Sequence, residues 1–142
     1  MSYHRMSDDE QIAFLRDGAR PAVLSTVRAD GRPHSAPIWY HLDGETVVFN
    51  TGADTVKGRN LAAHPRVSLC VQDDRPPYAF VVLEGTVTLV DDLAEVRKWA
   101  TRIGGRYMGP DRAEEFGARN GVPGELLVRV TAERRIGAVD LI

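Results

Sequence analysis

The sequence predicts a mainly β, antiparallel fold: a small closed or split barrel of six or seven strands with helices at its margins. Short β-branched and apolar runs recur along the chain with a period of two. Asp30-Gly31 and Asp43-Gly44 stand between such runs as tight-turn signals. Gly85 interrupts a long strand pattern, as expected where a barrel strand bulges or bends.

Ser7 with Glu10 three residues on forms a capping box, so the chain opens with a helix that turns Ile12 and Leu15 inward and ends near Gly18. Ala22 to Val27 is the first clear strand, and His34 to Leu42 reads as the second. Glu45 to Thr51 follows the second Asp-Gly turn. Thr55 to His64 is a short helix capped by Asp54 or Thr55 and stopped by Pro65. Val67 to Val71 and Tyr78 to Val90 are further strands. Leu93, Val96, Trp99 and Ile103 share one helical face between Asp91 and about Gly104. The glycine-rich, charged stretch 104–124 accommodates one short helix near Arg112 to Ala118. Leu126 to Thr131 and Ile136 to Leu141 read as two closing strands.

The 142 residues form one expected domain, 1–142, large enough for a hydrophobic core. A formal net charge of −2 gives no reason to expect a nucleic-acid partner. One cysteine, Cys70, excludes an intramolecular disulfide and fits a reducing, cytoplasmic compartment. The polar start is unlike a secretory signal, and no apolar run approaches a membrane span. His4, His34, His41 and His64 are scattered without ligand spacing, so no metal site is expected. No serine lies in a nucleophile elbow, and the glycines at 104, 105 and 109 match neither a Rossmann turn nor a P-loop.

The segment Val47 to Val71 carries the chemistry that remains. A strand stops at Asn50-Thr51-Gly52, and a helix start follows with Thr55, Lys57, Arg59 and Asn60. Free N–H groups and the dipole at a helix start favour an anion, and hydroxyls with a lysine complete a phosphate shell. The alternative is a capped helix with solvated cations. Pro37, in Pro37-Ile38-Trp39-Tyr40, has no N–H for a ladder and so marks an edge or a bulge. Trp39 beside it offers a flat aromatic surface, or else packs in the core.

Together these motifs resemble the pyridoxamine 5′-phosphate oxidase-like flavin and deazaflavin oxidoreductase superfamily, the FMN-binding split-barrel fold. The matching pieces are Leu24-Ser-Thr-Val27, Asp30-Gly31-Arg32-Pro33, Pro37 to Tyr40, Asp43-Gly44, Thr51, Thr55 to Lys57, Arg59 to Leu61, His64 to Val67 and Tyr78 to Gly85 with its Glu84-Gly85. The likeness is closest to the small members that use coenzyme F420. It implies a homodimer with two cofactor sites at the subunit interface. It also implies that Thr51, Thr55, Lys57, Arg59 and Asn60 hold the cofactor phosphate, that backbone around Pro37, Ile38 and Trp39 lies against the ring, and that Tyr78 closes the partner's site.

The expected activity is hydride transfer from reduced F420 to a conjugated small molecule, with no catalytic acid or base assigned. FMN is the alternative cofactor, and a non-catalytic F420- or tetrapyrrole-binding protein is the alternative class. The chain ends in Arg134-Arg-Ile-Gly-Ala-Val-Asp-Leu-Ile142, without the arginine-bearing substrate motif of true pyridoxamine phosphate oxidases. That activity is therefore not expected.

Overall fold

Two residues, Trp39 and Tyr40, separate the two edges of one antiparallel sheet. The computed structural model describes residues 3–141. In chain order it contains β1 (His4–Arg5), α1 (Asp8–Arg16), β2 (Ala22–Val27), β3 (Pro33–Ile38), β4 (His41–Asp43) and β5 (Thr46–Gly52). It continues with α2 (Val56–Ala63), β6 (Arg66–Asp73), β7 (Ala79–Val90), α3 (Leu93–Met108), α4 (Ala113–Asn120) and β8 (Glu125–Val139). The sheet runs β3-β2-β6-β7-β8-β5-β4, with β1 added beside β8.

β3 and β4 are therefore opposite edges, yet the chain passes between them in two residues. Three Cα–Cα steps span at most about 11 Å, so the sheet must curl until its edges nearly meet. They do not pair, and the barrel stays split. The sequence pattern reads 34–42 as one strand. The break corrects that reading, because Ile38 ends the pairing with β2 and His41 begins a new ladder with β5.

Local chemistry explains most boundaries. Ser7 Oγ accepts from Glu10 N–H, and Glu10 Oε1 accepts from Ser7 N–H, which completes the capping box of α1. Gly31 adopts φ +90° in the β2–β3 turn. At Glu84/Gly85 the β7–β8 register slips by one residue. A Cβ on Gly85 would strike the Thr131 carbonyl, so the close strand approach there needs glycine. The two closing strands expected at 126–131 and 136–141 are one 15-residue strand, and Glu133 is the residue left over at the bulge. α3 is longer than its apolar spacing suggests and reaches Met108.

The barrel interior holds Leu24, Tyr40, Val47, Phe49, Leu69, Val81, Leu83 and Val128. α3 covers the other face of β5 and β8, where Val48, Val96, Trp99, Ile103 and Leu127 form a second cluster. Three consecutive β5 residues, Val47, Val48 and Phe49, are thus buried, because the sheet is covered on both sides there. Each such side chain contributes about 1.5–3 kcal/mol of burial. No helix is long and apolar enough to cross a membrane among the described residues.

Candidate functional site

The split between β3 and β4 leaves the backbone of Tyr40 without strand partners, and α3 supplies them. Tyr40 N–H donates to Tyr107 Oη at 3.1 Å, and Arg106 Nη1 donates to the Tyr40 carbonyl at 3.0 Å. Tyr107 Oη in turn donates to the Arg20 carbonyl at 2.8 Å. Arg106 also donates to the carbonyls of Gly18 and Leu15, at 3.0 and 2.8 Å. Two side chains from the last turns of α3 thus hold the edge of the barrel.

Extended backbone sends alternate side chains to opposite sides. Ile38 and Tyr40 therefore point into the core, 7% and 1% exposed, while Trp39 points out at 38%. Tyr40 Oη donates to the Leu15 carbonyl at 2.8 Å. Burial pushes this phenol up to about 12, and nearby Arg106 only partly opposes it. Trp39 stacks on Tyr107, with centroids 5.0 Å apart, and Phe116 of α4 leans against it at 5.9 Å.

Beside this aromatic wall lies a cleft of about 440 Å³. That volume falls in the usual range for small-molecule sites, about 300–1,000 Å³. Pro37, Ile38 and Trp39 form one wall; Thr51, Gly52, Thr55 and Lys57 form the floor. Ala100, Ile103 and Gly104 of α3, with Asn120, form the opposite wall. Glu125 lies at the floor as well.

The floor is built by the start of α2. Thr55 is the N-cap: its Oγ1 accepts from Gly58 N–H at 3.0 Å and donates to the Gly52 carbonyl at 2.7 Å. Its hydroxyl is thereby committed to the helix. Thr51 Oγ1 lies 3.3 Å from it. A Cβ on Gly58 would strike the Gly52 carbonyl oxygen, so only glycine lets the helix start so close to the end of β5. Among the described residues the N–H groups of Val56 and Lys57 find no protein acceptor, as first-turn donors do unless a ligand or water takes them. Two free N–H groups and the Lys57 ammonium make a donor set suited to a phosphate, with the Thr51 hydroxyl, paired to Thr55, beside them. The flat wall from Pro37 to Trp39 suits a planar ring.

Six of the nine residues singled out in the sequence come together here: Pro37, Ile38, Trp39, Thr51, Thr55 and Lys57. Arg59 is exposed on α2 outside the cleft lining. Asn60 is 7% exposed, and its Nδ2 donates to Thr26 Oγ1 at 3.0 Å, which ties α2 to β2. Tyr78, with φ +60°, lies in a different depression beside Met6, Phe14 and Val139. Pro37 pairs with Val23 in an unbroken β2–β3 register, so it marks an edge strand rather than a bulge. Glu125, Asn120, Asn50 and the α3 face carried no local signal for the site. Ala100, Ile103 and Gly104 share a helical spacing that reads as ordinary core.

Electrostatically the cleft floor holds, among the described residues, one cation and one acid, Lys57 and Glu125. Burial raises the Glu125 carboxyl above its usual range, and the Lys57 charge partly opposes that. His41, whose ring meets Trp99 of α3 edge-on, is held below its usual range, first by burial and then by Arg106 and Arg102.

An open-seamed antiparallel barrel with helices at its side and a cleft at the seam defines a split-barrel class. The family model described as pyridoxamine 5′-phosphate oxidase matches residues 8–136, and the chain belongs to that family. It is 29% identical over 139 residues to the F420H(2)-dependent biliverdin reductase of Mycobacterium tuberculosis, covering 97% of this chain and 92% of that protein. It is 32% identical over 108 residues to the pyridoxine/pyridoxamine 5′-phosphate oxidase of Pseudomonas entomophila, covering 72% of this chain but only 50% of the oxidase. Among solved structures, the conserved hypothetical protein Rv2991 of M. tuberculosis superposes with TM-score 0.80 at 27% identity, covering 92% of this chain and 82% of that one. A protein named F420 reductase superposes with TM-score 0.71 at 26% identity, covering 89% and 96%.

Proposed function

We propose that this protein is a reductase that binds coenzyme F420 in the cleft at the barrel split and passes a hydride to a conjugated small-molecule acceptor. The observation that carries the reading is the pairing of unfilled donors, the Lys57 ammonium and the Val56 and Lys57 N–H groups, with the flat Pro37–Trp39 wall. The likeness to an F420H(2)-dependent biliverdin reductase over nearly the whole of both chains supports it.

In this reading Lys57 and the first turn of α2 hold the cofactor phosphate by charge-assisted hydrogen bonds. Pro37, Ile38 and Trp39 set the orientation of the ring. Trp39, Tyr107 and Phe116 keep water from one side of the cleft. Reduced F420 supplies the hydride when bound; the protein supplies position and electrostatics. The cleft is open on its remaining side. A homodimer, with the partner closing that side and Tyr78 contributing to the partner's cleft, belongs to the same proposal.

The test is to titrate the purified protein with F420 and with FMN separately, following cofactor fluorescence, and then to supply reduced F420 with biliverdin, quinones or nitro compounds. F420 binding followed by acceptor-dependent reoxidation is expected. A protein that binds only FMN, or neither cofactor, would falsify the assignment. Tight F420 binding with no turnover of any acceptor would make it a carrier instead.

A further inference from the structure

Glu125 stands opposite Gly52 in the β5–β8 ladder. Because Gly52 has no side chain, the Glu125 carboxyl extends over the strand toward the turn that starts α2. Its Oε1 would lie 3.6 Å from a Cβ placed on Gly52, and Thr55 Cγ2 only 3.2 Å from that same point. The carboxyl therefore sits against the turn from which the free Val56 and Lys57 N–H groups project. Lys57 and Glu125 line the same cleft, and their charges interact there. Among the described residues no second cation lines the floor, since Arg59 is exposed outside it.

An anion entering this floor thus meets one positive side chain, a helix start and one carboxyl. A phosphodiester carries one negative charge, which Lys57 and the helix dipole can offset. A phosphomonoester carries about 1.5 to 2 negative charges at neutral pH, and the excess faces Glu125 with no further cation to balance it. The phosphate of F420 is a diester, whereas that of FMN is a monoester.

We propose that Glu125 is a specificity-determining residue of the cleft, disfavouring cofactors that end in a phosphomonoester and so selecting the phosphodiester of F420 over FMN. This rests on the reading of the cleft as a phosphate-bearing cofactor site. Glu125 acts on binding and takes no part in hydride transfer.

The experiment compares the dissociation constants of F420, FMN and riboflavin for the wild type and Glu125→Gln. The substitution removes the charge and keeps the shape. FMN should bind the variant about tenfold tighter, while F420 shifts less than about threefold and riboflavin, which has no phosphate, does not move. Equal shifts for FMN and F420, or none for FMN, overturn the selectivity role while leaving the cofactor site standing. A wild type that binds no F420 overturns the site itself. A second measurement needs no variant: in the wild type, the FMN phosphate should improve affinity over riboflavin less than about tenfold, and a larger gain overturns the proposal.

Discussion

Trp39 lies flat on Tyr107, with ring planes 4° from parallel, and the Tyr107 hydroxyl accepts the N–H of Tyr40, the residue after Trp39. One tyrosine from α3 therefore supports both the exposed aromatic wall of the cleft and the backbone at the barrel split. The wall and the seam are thus joined through one residue, the ring serving the wall and the hydroxyl serving the seam.

Tyr107→Phe keeps the stack but leaves the Tyr40 N–H and the Arg20 carbonyl without their partner. It should destabilise the protein by about 1–3 kcal/mol in denaturant unfolding. A change under about 0.5 kcal/mol, the range of an ordinary surface substitution, would show that the seam does not depend on this hydroxyl.

Arg106 donates to the carbonyls of Gly18, Tyr40 and Leu15 at once, which a planar guanidinium can do and an ammonium on a flexible stem does poorly. Arg106→Lys should therefore cost about 2 kcal/mol despite keeping the charge, since each lost bond to a charged donor contributes about 1.5–3 kcal/mol. Unfolding midpoints at fixed slope measure it; an unchanged midpoint refutes the clamp.

Lys57 is half-buried at the cleft floor. Lys57→Ala should weaken F420 binding about tenfold to a hundredfold, the worth of one charge-assisted contact, while the melting temperature stays within a degree or two. Unchanged affinity would remove Lys57 from the phosphate site.

Gly58→Ala drives a methyl into the Gly52 carbonyl oxygen and to 2.9 Å from that of Ala53. Backbone atoms cannot yield as a flexible side chain would, so the start of α2 must move. The expected cost is about 1–3 kcal/mol, together with loss of cofactor binding. Normal binding by this variant would mean the first turn of α2 does not form the cradle.

Burial raises the Glu125 carboxyl above its reference value of 4.5. For an acid raised on folding, the contribution to stability is fully present below the unfolded value and is lost as pH rises through the folded one. Glutamine does not titrate. Glu125→Gln should therefore gain melting temperature relative to wild type as pH goes from 4 to 7. A difference that stays constant across that range contradicts a half-buried Glu125 that ionises with a raised pKa.

What the sequence determined on its own is local. The Ser7–Glu10 capping box, the strand Ala22–Val27, the Thr55 cap of α2 and the bulge at Gly85 all follow from chemistry within a few residues. So does the clustering of Thr51, Thr55 and Lys57, which one strand-to-helix turn holds together. The tertiary structure decided what depends on residues far apart in the chain. The strand pattern at 34–42 is continuous, but pairing with β2 on one side and β5 on the other pulls it apart at Trp39. Charged Glu133 to Arg135 read as a gap between strands, although they lie within one strand at a bulge. The Asn60 amide bonds Thr26, 34 positions away in the chain, a contact that local sequence does not announce. Glu125, 68 positions beyond Lys57 in the numbering, enters the cleft only because β8 pairs with β5 opposite a glycine. A strand's propensity says that it will extend, not which strand it will meet, and the cleft was made by that choice.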